Sequence, residues 1–338
     1  MGEAGARSTG FDQQSRGDRV RVAILGQAHW SHHLVRLLTR HAADRVDVVA
    51  LPGSSAATLL LRREPTPGVL LRVGFRPGAP TARGVAFDVL WSRIRSSFPG
   101  ATGVYYWLGT DLLRATLDAA AGRLRGGFQA SFRDRHLATA PWHLGELEAI
   151  GIRAAYRPLP YSLPTESASP MPVQFGVLSY LPARSFAYYG GNEVFALARR
   201  FPTLPFRILG ADSPPADAPR NVEYPGHLPS TDAIFKASSV VLRLLPHDGV
   251  GGTVLEALAH ARHVIYTFPL PHTNLVQAGD TEAISGILER LLDEHQRGLL
   301  GTNEEGRRYV LEAFDERRLS RALADELVAC AASTGASV

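Results

Sequence analysis

The richest chemistry in this chain lies in Leu242-Arg243-Leu244-Leu245-Pro246-His247-Asp248-Gly249-Val250-Gly251-Gly252-Thr253-Val254-Leu255-Glu256-Ala257-Leu258-Ala259. An apolar strand empties there into a glycine-rich loop that opens a helix. Glycines allow close approach to the backbone, and free N–H groups at Gly251, Gly252 and Thr253 would form an anion site at a helix N-terminus. Asp248 sits in the loop and Glu256 one turn into the helix, with Arg243 and His247 crowded beside them. Two carboxylates suit a free phosphate badly. They suit a phosphate ester with sugars on both sides, whose hydroxyls need acceptors. Two plainer readings compete: Thr253-x-x-Glu256 as a capping box, and Asp248 before Gly249 as an ordinary turn residue.

Two earlier loops have the same strand–turn–helix form. Gly26-Gln27-Ala28-His29-Trp30 closes the first strand and offers Gln27 and His29 as ligand contacts, or His29 as a cap for the turn. Its single glycine argues against a dinucleotide fold, which places Gly-x-Gly-x-x-Gly here. Tyr105-Tyr106-Trp107-Leu108-Gly109-Thr110-Asp111 runs from a strand through a glycine turn into a helix. Asp111 can bind substrate hydroxyls next to Trp107, or it can cap the helix.

The elements that must carry these loops follow a repeating pattern. Strands are expected at Val20–Leu25, Val46–Leu51, Gly68–Val73, Val104–Trp107 and Ala154–Leu159. Helical periodicity runs through Leu34, Leu37 and Leu38, over Ala86–Phe98, over Asp111–Leu124, and over Trp142–Ile150 up to Gly151. After a Pro- and Ser-rich linker the pattern restarts. Strands are expected at Val173–Ser179, Phe206–Leu209, Asn221–Tyr224, Ser239–Leu244 and His263–Thr267. Helices are expected at Glu193–Phe201, Thr231–Ala237 and Thr253–Ala261, and through most of the chain after Glu282. Strands alternating with helices mean βαβ units and parallel sheets. The fold class is therefore α/β: two Rossmann-like domains facing across a cleft, with chemistry in the loops beyond the strands' carboxyl ends. The domain reading is a disordered tail over 1–18, a first domain over 19–163, a linker over 164–172, a second domain over 173–315 and a C-terminal helix over 316–338. The C-terminal helices are expected to pack back towards the first domain.

Length and composition bound the rest. A chain of 338 residues holds about two domains, and 45% hydrophobic with 20% charged residues is an ordinary globular composition. No apolar run reaches the ~18–20 residues that span a bilayer. Met1 to Asp18 lacks the apolar core of a secretory signal. Cys330 is the sole cysteine, which excludes a disulfide scaffold or a cysteine zinc site and points to a reducing, cytoplasmic setting. Net charge is only +4, and the arginines are scattered, so no nucleic-acid stripe is expected. Lys236 is the sole lysine and has no Walker context.

With these residues in place, the chain resembles the GT-B glycosyltransferases, most closely their retaining family-4 group. That group carries an acidic residue, seven residues, then glutamate, commonly Glu-Gly-Phe-Gly-x-x-x-Leu-Glu-Ala, followed by a Gly-x-Pro-Val-Ile strand. The counterparts here are Asp248 to Ala257 and Ala261-Arg262-His263-Val264-Ile265, departing at Asp248, Ala261 and His263. Arg184 in Leu178-Ser179-Tyr180-Leu181-Pro182-Ala183-Arg184 falls near the family's diphosphate-gripping lysine, while Ser179 stands at its arginine position and Arg243 is a candidate replacement cation. Trp107-Leu108-Gly109-Thr110-Asp111 and Ala138-Thr139-Ala140-Pro141-Trp142 resemble first-domain stretches of the group, and the likeness spans roughly Val20 to Phe314.

The resemblance implies a retaining, metal-independent glycosyltransferase with no cofactor beyond a nucleoside-diphosphate sugar as substrate, placed in envelope or glycoconjugate synthesis. Catalysis would rest on Asp248, Arg184 and Arg243. Donor binding would use His247, Gly249, Gly251, Gly252, Thr253 and Glu256, with Asp248 on the sugar and Glu256 on the ribose. The acceptor, a glycan, a lipid-linked sugar or a small molecule, would meet Gln27, His29, Trp107 and Asp111 near the loop over 74–82. Phe87 to Arg95 mixes apolar and basic residues at helical spacing, which suits peripheral contact with an anionic membrane or simple packing on the sheet. Alternatives are a nucleotide-sugar epimerase on the same scaffold and a degenerate nucleotide-sugar binder without turnover.

Overall fold

A computed structural model describes residues 19–52, 66–74, 87–123 and 134–334. The tail over 1–18 and most of the loop over 74–82 lie outside these residues. The chain divides into two compact units, one built from the segments up to Pro160 and from Glu316 onward, the other from Tyr161 to Asp315.

The first unit carries strands β1 (Val20–Gly26), β2 (Val46–Pro52), β3 (Val69–Val73), β4 (Thr102–Trp107), β5 (Arg135–Ala138) and β6 (Ala155–Tyr156). They form one parallel sheet in the order β2-β1-β3-β4-β5-β6. Its helices are α1 (Ala28–Ala42), α2 (Phe87–Ser97), α3 (Thr110–Ala120), α4 (His143–Ala149) and, after the second unit, α10 (Glu316–Thr334). Parallel strands covered on both faces read as continuous apolar runs, and all five residues of β3 are buried. One of those is charged. Arg72 is fully buried, its guanidinium 4.3 Å from the Tyr105 ring centre.

Helix α10 belongs to this unit. Leu323, Ala324, Leu327 and Cys330 enter the same core as Leu34 and Leu38 of α1, and each buried leucine contributes roughly 1.5–3 kcal/mol. Glu316 pairs with Arg40 and His41, and Glu326 pairs with Arg157. The described apolar residues of α2, Trp91 and Ile94, are buried against the sheet, and Arg95 pairs with Asp134. Those two apolar side chains pack within their own unit.

The second unit carries β7 (Val177–Tyr180), β8 (Phe206–Leu209), β9 (Val222–Glu223), β10 (Val240–Arg243), β11 (His263–Tyr266) and β12 (Asn274–Leu275). The order is β12-β11-β10-β7-β8-β9, again all parallel. Helices α5 (Gly191–Arg200), α6 (Asp232–Lys236), α7 (Gly252–Ala259), α8 (Thr281–Gln296) and α9 (Glu304–Ala313) complete it. The strand order reverses between β7 and β10. At such a switch point the loops leaving two adjacent strands diverge and open a crevice at their carboxyl ends.

Strands β5 and β12 were not expected, and the first strand of the second unit begins at Val177 rather than Val173. Val173 is fully exposed, because the chain has not yet entered the sheet. No helix among the described residues is long and apolar enough to cross a membrane.

Candidate functional site

The switch point of the second unit gathers most of the expected site. Ser179 at the end of β7 donates from Oγ to the carbonyl of Leu242 on β10 at 3.1 Å, tying the two central strands together. The β7 loop then makes two single turns, Ala183–Ser185 and Ala187–Tyr189. It leans on the β10 loop, where the Tyr188 hydroxyl donates to the His247 carbonyl at 2.7 Å. The Tyr189 ring lies 5.0 Å from the Arg243 guanidinium. Arg184 is exposed on the first of these turns.

Arg243 and Asp248 are placed together, facing each other rather than a ligand. Arg243 Nε donates to one carboxylate oxygen at 2.8 Å and its terminal nitrogen to the other at 2.9 Å. The Tyr266 hydroxyl lies 3.1 Å from the same carboxylate and 2.6 Å from the Gly249 carbonyl. Both ions are buried. Burial pulls the Arg243 guanidinium down, yet the Asp248 charge and its hydrogen bonds, with smaller contributions from Tyr266 and Tyr189, together hold the group above its ordinary value. Burial and the same carboxylate push the Tyr266 phenol far up. These contacts engage the two ions with each other. Arg243 is a brace for the loop, and Asp248 is the carboxylate it closes upon. A buried bidentate pair needs both partners, since either ion alone would be desolvated without compensation.

The brace fixes the mouth of α7. Gly251, the N-cap, offers no side chain and packs on the ion pair. A Cβ there would lie 2.9 Å from Arg243 Nε and 3.0 Å from the Asp248 carboxylate. No side chain caps this helix. Thr253 therefore forms no capping box, and Glu256 turns elsewhere. Its carboxylate accepts from the Thr231 hydroxyl at 3.3 Å and from the Tyr161 hydroxyl. Burial raises the Glu256 carboxyl above its usual range, and these two hydrogen bonds pull it part of the way back. The buried His247 ring stands edge-on to Phe268, with centres 6.4 Å apart.

Tyr161 and Thr231 are the residues sequence reasoning missed. Neither belongs to the motif, and Tyr161 is 95 positions from the carboxylate it binds, so no local pattern could have found it. Close by, Ser230 and Ile234 help line a cavity of about 390 Å³ with Tyr224, Pro225, Leu228 and the Arg207–Glu223 ion pair.

The first unit treats its expected residues differently. Gln27 and His29 are exposed at the end of β1, next to that sheet's own switch point between β1 and β3. Gln27 Nε2 donates to the Gly74 carbonyl at 2.7 Å, and His29 stacks on His33. Trp107 is wholly buried, stacked on Tyr105 at 4.0 Å, with its indole N–H on His136 Nδ1 at 3.0 Å. Asp111 is buried as well, and its Oδ1 accepts from the N–H groups of Leu108, Gly109 and Leu112 at 2.9–3.0 Å. Both side chains are engaged inside the first unit. Trp107 belongs to the core because it alternates inward on a covered strand, and the carboxylate of Asp111 fills the helix end itself. Among the described residues no cluster of three or more His, Cys, Asp or Glu could hold a metal ion.

No known family model matches the sequence, and no curated protein matches it. Solved structures do resemble it in shape. Anabaena HepE in complex with UDP-glucose superposes with a TM-score of 0.67 at 9% identity, covering 92% of this chain and 100% of that one. Sucrose-phosphate synthase from Thermosynechococcus elongatus gives 0.62 at 11% identity, over 93% of this chain and 100% of that one. A glycosyltransferase from Rickettsia africae gives 0.59 at 9% identity, over 95% and 100%. The chain thus has the GT-B fold of these proteins.

Proposed function

We propose that this chain is a glycosyltransferase that moves a sugar, with retained anomeric configuration, from a nucleoside-diphosphate sugar to a saccharide, lipid-linked or small-molecule acceptor. The observation that carries the reading is the uncapped mouth of α7 at the switch point, beside a buried ion pair, with exposed Arg184 on the neighbouring β7 loop and Glu256 one turn into the helix. The Gly252 and Thr253 amides and Arg184 bind the diphosphate. Glu256 accepts from the ribose. The neighbour solved with UDP-glucose agrees in kind.

In the reaction the bond between the anomeric carbon and the diphosphate oxygen breaks, and its electron pair stays on the diphosphate. The acceptor oxygen bonds to the same carbon from the face the diphosphate leaves, and its proton passes to a departing phosphate oxygen. Arg184 and the α7 amides stabilise the charge as it grows, the way preorganised donors act where water is scarce. Arg184→Ala should lower kcat/KM for a nucleotide sugar by about 100- to 1000-fold. An unchanged value would place the arginine outside the diphosphate site.

One observation favours a second reading, a nucleotide-sugar binder without turnover. Both oxygens of Asp248 are engaged inside the protein, which leaves the expected sugar contact unfilled. Product analysis with a panel of nucleotide sugars and acceptors, alongside calorimetry on the same donors, separates the two. Tight binding with no product in any combination would favour the binder.

A further inference from the structure

Tyr161 is the first residue of the second unit, and the chain just before it is firmly held in the first. The Tyr106 hydroxyl contacts the carbonyls of Arg157 and Pro158 at 2.9 Å, and His33 Nε2 lies 2.8 Å from the Pro160 carbonyl. One residue later the Tyr161 phenol reaches the mouth of α7. Its oxygen lies so close over Gly252 that a Cβ there would collide with it. The same hydroxyl donates to Glu256, where Thr231 donates too. Two hydroxyls on one carboxylate is the pattern that the 2′,3′-diol of a ribose makes. Removal from water pushes the Tyr161 phenol up to about 12, so it remains a proton donor throughout the neutral range.

We propose that the Tyr161 hydroxyl stands in for a ribose hydroxyl on Glu256 until the ribose of a nucleoside diphosphate displaces it. This rests on the nucleotide-binding reading above. Tyr161 thereby sets how much a ribose contributes to affinity. A ligand with the diol must break the Tyr161–Glu256 bond and replace it, so part of its gain is offset. A ligand without the diol leaves Glu256 to Tyr161 and gains nothing there.

Calorimetry on the full chain, using UDP and 2′,3′-dideoxy-UDP, tests this directly, with the ADP and GDP pairs as further probes. In Tyr161→Phe the ring stays and only the hydroxyl goes. UDP should then bind about three- to tenfold tighter, in keeping with the net strength of a typical intramolecular hydrogen bond. The dideoxy ligand should change by less than about twofold. Tyr161→Leu, checked for unchanged melting, should repeat the pattern. Equal changes for both ligands, or weaker UDP binding, would overturn the proposal, the latter making Tyr161 an ordinary ligand contact. Glu256→Gln in the otherwise native chain should erase the preference for the ribo ligand. If the native chain binds none of the diphosphates, the nucleotide reading fails and takes this proposal with it. If it binds them but Tyr161→Phe leaves the preference unchanged, this proposal alone fails.

Discussion

Two helix mouths in this molecule start from the same local sequence plan and end in opposite conditions. In the first unit, strand β4 passes through Gly109 into α3. In the second, strand β10 passes through Gly251 into α7. Each has glycine at the turn, a threonine near the start and a carboxylate nearby. At α3 the carboxylate of Asp111 folds back and takes three backbone N–H groups. At α7 the nearest carboxylate is drawn away by Arg243, and Glu256 is drawn away by Thr231 and Tyr161. The first end is satisfied from within, while no side chain caps the second. Glycine and acid at a helix start do not by themselves make an anion site. The partners that compete for the acid decide.

The strongest challenge to this contrast is Asp248→Asn. If the Arg243–Asp248 pair is what holds the α7 mouth open, this change leaves a buried guanidinium without its counter-charge. It should cost about 3–5 kcal/mol of stability in urea unfolding. Arg243→Met with Asp248→Leu removes both charges and should recover most of that loss, while nucleotide affinity stays reduced because the brace is gone. Recovery of affinity along with stability would mean that the loop needs no brace.

Next in size is Asp111→Ala. It leaves three backbone donors without their acceptor and should cost about 1–3 kcal/mol, with nucleotide affinity unchanged. A fall in affinity in well-folded protein would return Asp111 to the binding site and blur the contrast. Glu256→Gln should do the reverse. Melting should hold steady or rise slightly, since a buried carboxylate becomes a neutral amide, while nucleotide affinity should fall by roughly ten- to a hundredfold.

The sequence alone carried the parallel sheets, because buried parallel strands are continuous apolar runs and their helices repeat at 3.6 residues. It missed β5, whose Arg135-His136-Leu137-Ala138 mixes charge and apolar character and is a strand because it pairs with β4 and β6. It missed β12 for want of length, since two residues carry no period. The site was half legible. The glycine-rich mouth and its two acids stand out in the linear order, whereas the pairing of Arg243 with Asp248 needs the loop's curvature. Trp107 and Asp111 are an aromatic and an acid after a strand, which read the same whether they face a ligand or the protein interior. Tyr161 could not be read at all, since its partner is brought to it only by the folding of the second unit.

The finest discrimination comes from pH. Burial raises the carboxyls of both Asp111 and Glu256 in the folded protein. A folded-state value above the unfolded one means that the native chain holds the proton more tightly. Each group's contribution to stability is therefore fully present below the ordinary carboxyl range and is lost as pH rises through the raised native value. The two differ in what binding does over that window. A ribose diol donates to the ionised Glu256, so nucleotide affinity should rise with pH exactly where stability falls. Asp111 touches no ligand, so its ionisation should change stability alone. Glu256→Gln should flatten the affinity profile, whereas Asp111→Asn should reduce only the stability slope. Calorimetric titrations and unfolding curves taken across that range on the three proteins measure both slopes. An affinity profile that Glu256→Gln leaves sloping, or that Asp111→Asn flattens, would mean that the two helix mouths do not divide binding and capping between them.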